Sequence, residues 1–412
     1  MTLHPALVAA LLAAAPLAPT LDDADEFQRP VPGDCEVCEA KPRAMEALGV
    51  VSHGEFGFGN SDTVELSELF GGIPIRWIEG AHLKLGFAEV EYDSWWGGGE
   101  AAKSGQRISR QGAGGMSEMA TGALAKSPWR KTHTYFERLE GTYARMLELL
   151  ERTDEDFPTI DEGGLLVLPA KHGRRYMGEG PHLGMAGKFE ILVLPGEDQH
   201  RAYRADTRGL DSAGGLLHLV GATDAMTLTA HQMDGALWDD EILHGHLVHM
   251  LAHALVDSYR HYSYPGPIWL SVGTAHLLER ETTMEFDTFC GQHPSTKGVP
   301  GMRDWTAEAR KLATSGKATG LDELMGRELL TDMTLDDHVT SWSMVRFLVD
   351  DHPGVFASLN DDIRGLTQSK LPCDPEDLLQ AHRDSIARHL GLTYAEFDAA
   401  WAKWAKKQTK RG

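Results

Sequence analysis

Residues 239–259, which read DDEILHGHLVHMLAHALVDSY, decide the fold more than any other stretch of the sequence. Asp239, Asp240 and Glu241 open the segment, and acidic residues in a first turn stabilise a helix through its dipole. Almost every later residue that is not histidine is apolar. The segment therefore predicts a helix over 240–261 that is buried on most of its sides.

Three histidines of this helix share one face, because His246, His249 and His253 lie at positions i, i+3 and i+7. His249 and His253 are four residues apart, which lets both rings point at one cation, and helical zinc sites use this spacing. The other interpretation is that these are buried histidines that hydrogen-bond to their neighbours. For an isolated H-x-x-x-H pair this structural interpretation would be preferred over a metal site. The context of the helix therefore matters.

A second helix is predicted over 267–283 and contains WLSVGTAHLLE at 269–279. With these two helices the sequence resembles the gluzincin metallopeptidases, the thermolysin-like clan, and most closely their peptidase-MA-like domains. In those domains an H-E-x-x-H helix precedes a W-L-x-E-G-x-A helix that carries the third zinc ligand. The resemblance continues more weakly from the strands near 165 to residue 404. It implies an α+β fold, with Asp257 as the acidic residue that supports the zinc ligands.

The departures from this family fall on the residues that carry the chemistry. Met250 stands where the family has the glutamate that acts as general base, a role worth roughly 10²–10⁴-fold in rate. Val272 stands where the family has the third zinc ligand, a glutamate. No catalytic residue is therefore assigned. We expect a peptidase-like pseudoenzyme that keeps the scaffold and binds a peptide or protein without cleaving it.

The alternative is an active metal-dependent hydrolase or peptidase with a rebuilt site. His276 lies one turn beyond Val272, and Glu279 a further turn on, so His249, His253 and His276 could form a three-histidine site that activates water. One helical turn, however, moves a ligand by about 5.4 Å, whereas a metal site tolerates errors of about 0.2 Å. The sequence thus predicts either no cofactor or zinc.

Composition excludes several functions. The 412 residues carry a formal net charge of −22, and such a field repels nucleic acid and anionic membranes. A hydrophobic content of 42% is too high for a disordered chain and predicts a soluble globular protein. A phosphate-binding loop after a strand and a G-x-S-x-G motif are both missing from the sequence, so nucleotide chemistry and the common serine hydrolase arrangement have no support.

The first 20 residues predict a signal peptide. The apolar run over 6–18 is too short to span a bilayer, and Ala13, Ala15 and Ala18 offer cleavage positions. The segment has no Lys or Arg, and the alternative is an Ala-rich helix. Since no other stretch is long and apolar enough to span a membrane, we expect the mature protein to be secreted or periplasmic.

Four cysteines are present, Cys35, Cys38, Cys290 and Cys373. In an oxidising compartment we expect a local disulfide between Cys35 and Cys38 and a second one between Cys290 and Cys373. The C-x-x-C spacing also suits a redox couple or half of a zinc site. A haem attachment site is excluded because Glu39 stands where that motif requires histidine.

The remaining pattern divides the chain into regions. Residues 21–45 are acidic, contain prolines and are typical of a linker. Residues 46–160 predict a strand and loop region that ends in an amphipathic helix over 132–152, and 161–408 form the peptidase-MA-like domain. Strands of one small mixed sheet are expected at 165–168, 189–194, 216–220 and 226–229. Further helices are expected at 304–315, 335–351, 374–390 and 394–407.

Two more histidines, His218 and His231, lie near the predicted edge of the sheet. Related peptidases bind the substrate backbone at this edge by strand addition. We interpret both side chains as surface or core histidines.

Overall fold

The structure, a computed structural model, describes residues 35–88, 127–161, 164–172, 175–210, 216–234, 237–262, 264, 266–283, 286–289, 304–366 and 374–408. The predicted signal peptide and the predicted disulfide between Cys290 and Cys373 lie outside these residues. Within the described ranges, no helix has both the length and the apolar character needed to cross a membrane.

Five strands form the main sheet, in the order β3-β4-β7-β9-β8. The two central pairs, β4 with β7 and β7 with β9, are parallel, and the two outer pairs are antiparallel. Its strands are β3 (Ile75–Glu79), β4 (Leu83–Ala88), β7 (Phe189–Leu194), β8 (Leu216–Val220) and β9 (Ala225–His231). Two small hairpins contain β1 (Gly57–Phe58) with β2 (Ser61–Asp62), and β5 (Thr159–Ile160) with β6 (Leu166–Val167).

The structure also contains helices, which make up most of the chain after residue 239. They are α1 (Pro42–Ala47), α2 (Thr63–Leu69), α3 (Pro128–Leu149), α4 (Glu197–Arg208), α5 (Asp240–Ser258), α6 (Ile268–Thr282), α7 (Trp305–Ser315), α8 (Leu321–Met325), α9 (Leu335–Asp351), α10 (Val355–Arg364), α11 (Pro375–Leu390) and α12 (Tyr394–Ala405). The predicted α+β fold, with a mixed sheet and a helical C-terminal half, is confirmed.

The central strand β7 is buried along its whole length, as expected of a strand covered on both faces. Successive side chains of a strand point to opposite faces. Accordingly, Ile191 and Val193 join the large core that contains α3 and α5, whereas Leu192 and Leu194 join a smaller core with Tyr203 of α4. The alternation explains why α3 and α4 lie on opposite faces of the sheet.

The predicted helices after residue 239 agree with the observed ones to within three residues at each end. The prediction missed α4, whose sequence EDQHRAYRADTR is so polar that it lacks a clear apolar stripe. The prediction that 165–168 form a strand of the main sheet was wrong. Only 166–167 form a strand, which pairs with β5 in a separate hairpin instead of joining the main sheet.

The main sheet unites the two predicted regions of the chain. Strands β3 and β4 come from the region 46–160, and β7, β8 and β9 come from 161–408. Leu85 of β4 and Ile191 of β7 are partners in the parallel ladder and lie in the same core. Residues 46–160 therefore supply part of the core on which the histidine helix packs.

A glycine sets the distance between α6 and α9, because a Cβ atom on Gly273 would lie 2.5 Å from the carbonyl oxygen of Ser341. Gly273→Ala should therefore lower the free energy of unfolding by about 1–3 kcal/mol through overpacking. Gly141→Ala is the matched control. That helical position is exposed and open, so the alanine should raise the same quantity by about 0.5–1 kcal/mol. Urea unfolding checks both, and equal stability of the two variants would contradict the close approach.

Candidate functional site

Helices α5 and α6 pack side by side in opposite directions, and this arrangement builds the candidate site. His253 contacts Ser271 near the start of α6, whereas His249, one turn earlier on α5, contacts Glu279 near its end. Gly245 continues the series, because a Cβ atom there would lie 2.6 Å from the side chain of Thr283. The antiparallel pairing thus brings the third turn of α5 against the residues after 275.

His249 and His253 point toward each other as the i, i+4 spacing predicts. Their Nε2 atoms lie 3.2 Å apart, and their side chains are only 0% and 4% exposed. Each Nδ1 atom has a polar partner, at 2.9 Å from Glu279 Oε2 for His249 and 2.7 Å from Ser271 Oγ for His253. Two nitrogen ligands of one tetrahedral zinc ion lie about 3.3 Å apart, so the spacing suits a shared cation as well as a hydrogen bond.

Glu279 connects this pair to a second pair of histidines. Its Oε2 atom lies 3.1 Å from His276 Nδ1, and its Oε1 atom accepts a hydrogen bond of 2.8 Å from the backbone N–H of Thr288. His276 Nε2 lies 3.0 Å from Nδ1 of His338, which α9 supplies. One donor atom each of His249, His276 and Glu279 lie within 4.8 Å of one another, so these buried groups could hold a metal ion.

Burial keeps the whole cluster uncharged. It lowers the pKa of His249 and of His338 to about 3, and lowers the pKa of His253 and His276 well below the ordinary value. It also raises the pKa of Glu279 to about 8, because a carboxylate loses its hydration in the core. Each neutral ring then has one donor and one acceptor nitrogen.

These groups form one continuous chain of hydrogen bonds. It runs through Ser271, His253, His249, Glu279, His276 and His338. At its end, the Nε2 atom of His338 is buried and has no hydrogen-bond partner among the described residues. A buried ring nitrogen without a partner is a position where a water or another small ligand would lower the free energy.

The other residues singled out in the sequence lie as follows. Val272 is fully buried, and Met250 is half-buried and packs against the same core. Asp257 forms an ion pair of 2.7 Å with Arg364 of α10, so it contacts an arginine and not one of the histidines of the cluster. His253 is not part of the group in which His249, His276 and Glu279 converge.

Two members of the cluster were not assigned from the sequence. The signal that could have found Glu279 is its spacing from His276, because residues three apart lie on the same face of a helix. His338 lies in the segment LDDHVTSW of a separate helix, and no spacing relates it to the other histidines. His218 on the edge strand β8 and His231 at the end of β9 are both buried.

The two N-terminal cysteines are free thiols, and the disulfide predicted between them is not formed. Their sulfur atoms lie 3.5 Å apart, well beyond the S–S bond length of about 2.05 Å. Each sulfur instead faces a ring nitrogen, at 3.2 Å from His133 Nε2 for Cys35 and 2.9 Å from His53 Nε2 for Cys38. The four side chains form a second buried group that could hold a metal ion.

In comparisons with known proteins, no family model and no curated protein matches this chain significantly. The resemblance to gluzincins therefore depends on the sequence alone, chiefly on the residues of α5 and α6.

The neutral state of Glu279 can be tested with its amide. Since its folded pKa of about 8 exceeds the ordinary value of 4.5, the parent should lose stability as pH rises between these two values. Glu279→Gln should keep its stability over this pH range, because the amide does not titrate. Its N–H groups can donate to both histidines, and its carbonyl oxygen can accept from the backbone N–H of Thr288. The melting temperature of Glu279→Gln should thus exceed that of the parent at about pH 9 but not at about pH 5.

Two further variants serve as controls for this prediction. Glu279→Leu leaves several buried partners unsatisfied and should destabilise the protein by about 2–4 kcal/mol. Glu281→Gln removes an exposed ion pair with Arg145 and should change stability by less than about 1 kcal/mol. Identical pH profiles for the parent and Glu279→Gln would contradict a raised pKa at this position.

Proposed function

We propose that this chain is a secreted or periplasmic, peptidase-like pseudoenzyme that binds a protein segment without cleaving it. One observation carries the proposal. The Nε2 atoms of His249 and His253 lie 3.2 Å apart, close to the separation of two ligands of one zinc ion, while Met250 and Val272 stand in the sequence where gluzincins have the base and the third ligand. The arrangement agrees with a zinc site that keeps its histidine pair and lacks its carboxylates.

The surroundings of the pair support loss of catalysis. A catalytic zinc ion keeps one coordination position open to water and substrate. Here the histidine pair and its neighbours His276 and Glu279 are at most 4% exposed. The thioether of Met250 cannot accept a proton from water, so no hydrolytic step follows from these residues. The hydrogen-bond chain described above gives the histidines a structural role instead.

The binding function is supported by an exposed apolar hairpin. Leu165 and Leu168 are 69% and 57% exposed, and Ile160, Leu166 and Val167 are exposed as well. Contiguous exposed apolar side chains commonly mark an interaction surface. In the described residues β6 pairs only with β5, which leaves its outer edge available for strand addition. Because the chain carries a net charge of −22, we assign an extended, apolar and non-acidic protein segment as the partner.

A specific observation favours a second candidate function, a metal-dependent hydrolase. His249, His276 and Glu279 converge, and Glu279 supplies a carboxylate that positions 250 and 272 lack. This set would hold zinc without His253. Cleavage of an unfolded, fluorescently labelled protein by the zinc-supplemented parent, abolished in Glu279→Gln, would support this candidate and overturn the pseudoenzyme.

Restoring the two lost carboxylates tests the pseudoenzyme directly. Met250→Glu combined with Val272→Glu recreates H-E-x-x-H and its third ligand. Two buried carboxylates without a cation should destabilise the variant by several kcal/mol, and added zinc should restore its stability. The melting temperature of the variant should thus rise with zinc more than that of the parent, since any other metal site is common to both. A variant indifferent to zinc would contradict the gluzincin-like geometry.

The binding surface is tested with surface variants and an array of unstructured peptides of apolar-basic, apolar-acidic and polar composition. The parent should bind the apolar-basic class most strongly. Leu165→Ser combined with Leu168→Ser should weaken binding at least about tenfold, the effect of losing about 1.4 kcal/mol of apolar contact. Leu329→Ser is the matched control, because Leu329 is 61% exposed elsewhere on the surface. Unchanged binding by the hairpin variant would exclude this surface.

A further inference from the structure

Four metal-binding side chains from distant parts of the chain meet near the N-terminal end of the described residues. Cys35 and Cys38 flank a turn, His53 lies between α1 and β1, and His133 lies in the second turn of α3. One atom of each lies within 4.8 Å of the corresponding atoms of the other three. The two cysteines have the C-x-x-C spacing, which in the sequence also suits half of a zinc site.

We propose that Cys35, Cys38, His53 and His133 form a closed structural zinc site. Around a tetrahedral zinc ion, with Zn–S near 2.3 Å and Zn–N near 2.0–2.1 Å, ligand atoms lie about 3.3–3.8 Å apart. The separation of 3.5 Å between the sulfurs lies in this range, and the sulfur-to-nitrogen separations of 3.2 and 2.9 Å lie below it, so a bound ion would require the rings to move outward by a few tenths of an ångström. A tetrahedral set of two thiolates and two imidazoles is characteristic of zinc.

The environment of the four side chains agrees with a bound cation. The cysteines are 1% exposed and the histidines 7% exposed, so water cannot hydrate a thiolate here. The Nε2 atom of each ring faces a sulfur, so both imidazoles turn a ring nitrogen toward the centre of the group.

The backbone around the cysteines has the tight turn that a chelating C-x-x-C requires. The backbone N–H of Glu39 donates to the carbonyl of Cys35, and the N–H of Lys41 donates to that of Cys38. Glu39 and Ala40 have left-handed φ angles of 49° and 48°. Such a conformation is unfavourable for residues other than glycine, so a local interaction must stabilise it. Zinc held by both sulfurs would do so.

The site would also explain how the N-terminal segment is held. Helix α1 has no buried residue, so it contributes little apolar area to the core. The buried contacts of this segment come mainly from Cys35, Cys38 and Val50, which join the core around α3. In a site of this kind the free energy of metal binding becomes free energy of folding. Zinc would therefore fasten residues 35–53 to α3 and to the sheet beneath it.

This site is separate from the histidine cluster on α5, α6 and α9, because the two share no residue. It is also distinct in chemistry. Four protein ligands leave no open coordination position, so the site stabilises the fold and takes no part in hydrolysis. Its existence does not depend on the proposed function, and it would remain if the protein were an active hydrolase.

The test uses the full chain purified under reducing conditions. Elemental analysis after dialysis should find about one zinc ion per chain that withstands washing. Cys35→Ser combined with Cys38→Ser should lower the zinc content by one ion per chain. His389→Gln, which alters an exposed histidine of α11 outside both groups, is the control and should leave the zinc content unchanged. A double cysteine variant with the same zinc content as the parent would overturn the proposal.

A second measurement on the parent avoids variants that fail to fold. Cobalt exchanged into the site should give a thiolate-to-metal charge-transfer band, because two sulfur ligands are present. A strong zinc chelator should make two additional thiols reactive toward a thiol reagent and should lower the melting temperature, and added zinc should reverse both changes. Reduced protein that gives no charge-transfer band and no chelator-dependent thiols would contradict the site.

Discussion

The buried carboxyl of Glu279 is the group on which the centre of this protein depends. It lies between α5 and α6, contacts His249 and His276, and accepts a hydrogen bond from the backbone of Thr288. Burying a polar group in an apolar core is favourable only when its hydrogen bonds are made, so the two helices must keep one relative position. The same constraint extends through His276 to His338 and fixes the third helix, α9.

Close backbone contact makes this network possible. Gly273 allows α6 to approach α9, and Gly245 allows α5 to approach the end of α6. An added Cβ atom would lie 2.5 Å from the backbone oxygen of Ser341 at Gly273 and 2.6 Å from the side chain of Thr283 at Gly245, so any larger residue would require a shift. The sheet provides the base for these helices, since its parallel strand β7 is buried on both faces and places α3 and α5 on one of them. The histidine cluster is thus held from several directions and is inaccessible to solvent.

The two groups of side chains that could hold a metal ion differ in the role that their contacts suit. The cluster of α5, α6 and α9 contains neutral histidines in a hydrogen-bond chain that is complete except at His338 Nε2. The group of Cys35, Cys38, His53 and His133 is connected only through sulfur, by one contact between the two thiols and one contact from each thiol to a ring nitrogen. Sulfur forms only weak hydrogen bonds, so these contacts alone stabilise little. A cation is therefore a more effective partner for the second group than for the first.

The sequence by itself determined the α+β fold, the helices after residue 239 other than α8 and α10, and the pairing of His249 with His253, because local periodicity and i, i+4 spacing follow from helix geometry alone. Its resemblance to gluzincins also singled out Met250 and Val272, which stand where that family has glutamates. Only the tertiary structure decided that Glu279 and His338 join the histidines and that His53 and His133 face the cysteines. These partners come from separate helices and loops, and side chains far apart in sequence meet only after the chain has packed into one core. The tertiary structure also decided that β6 pairs with β5 in a separate hairpin. An apolar run by itself does not specify which strand will pair with it.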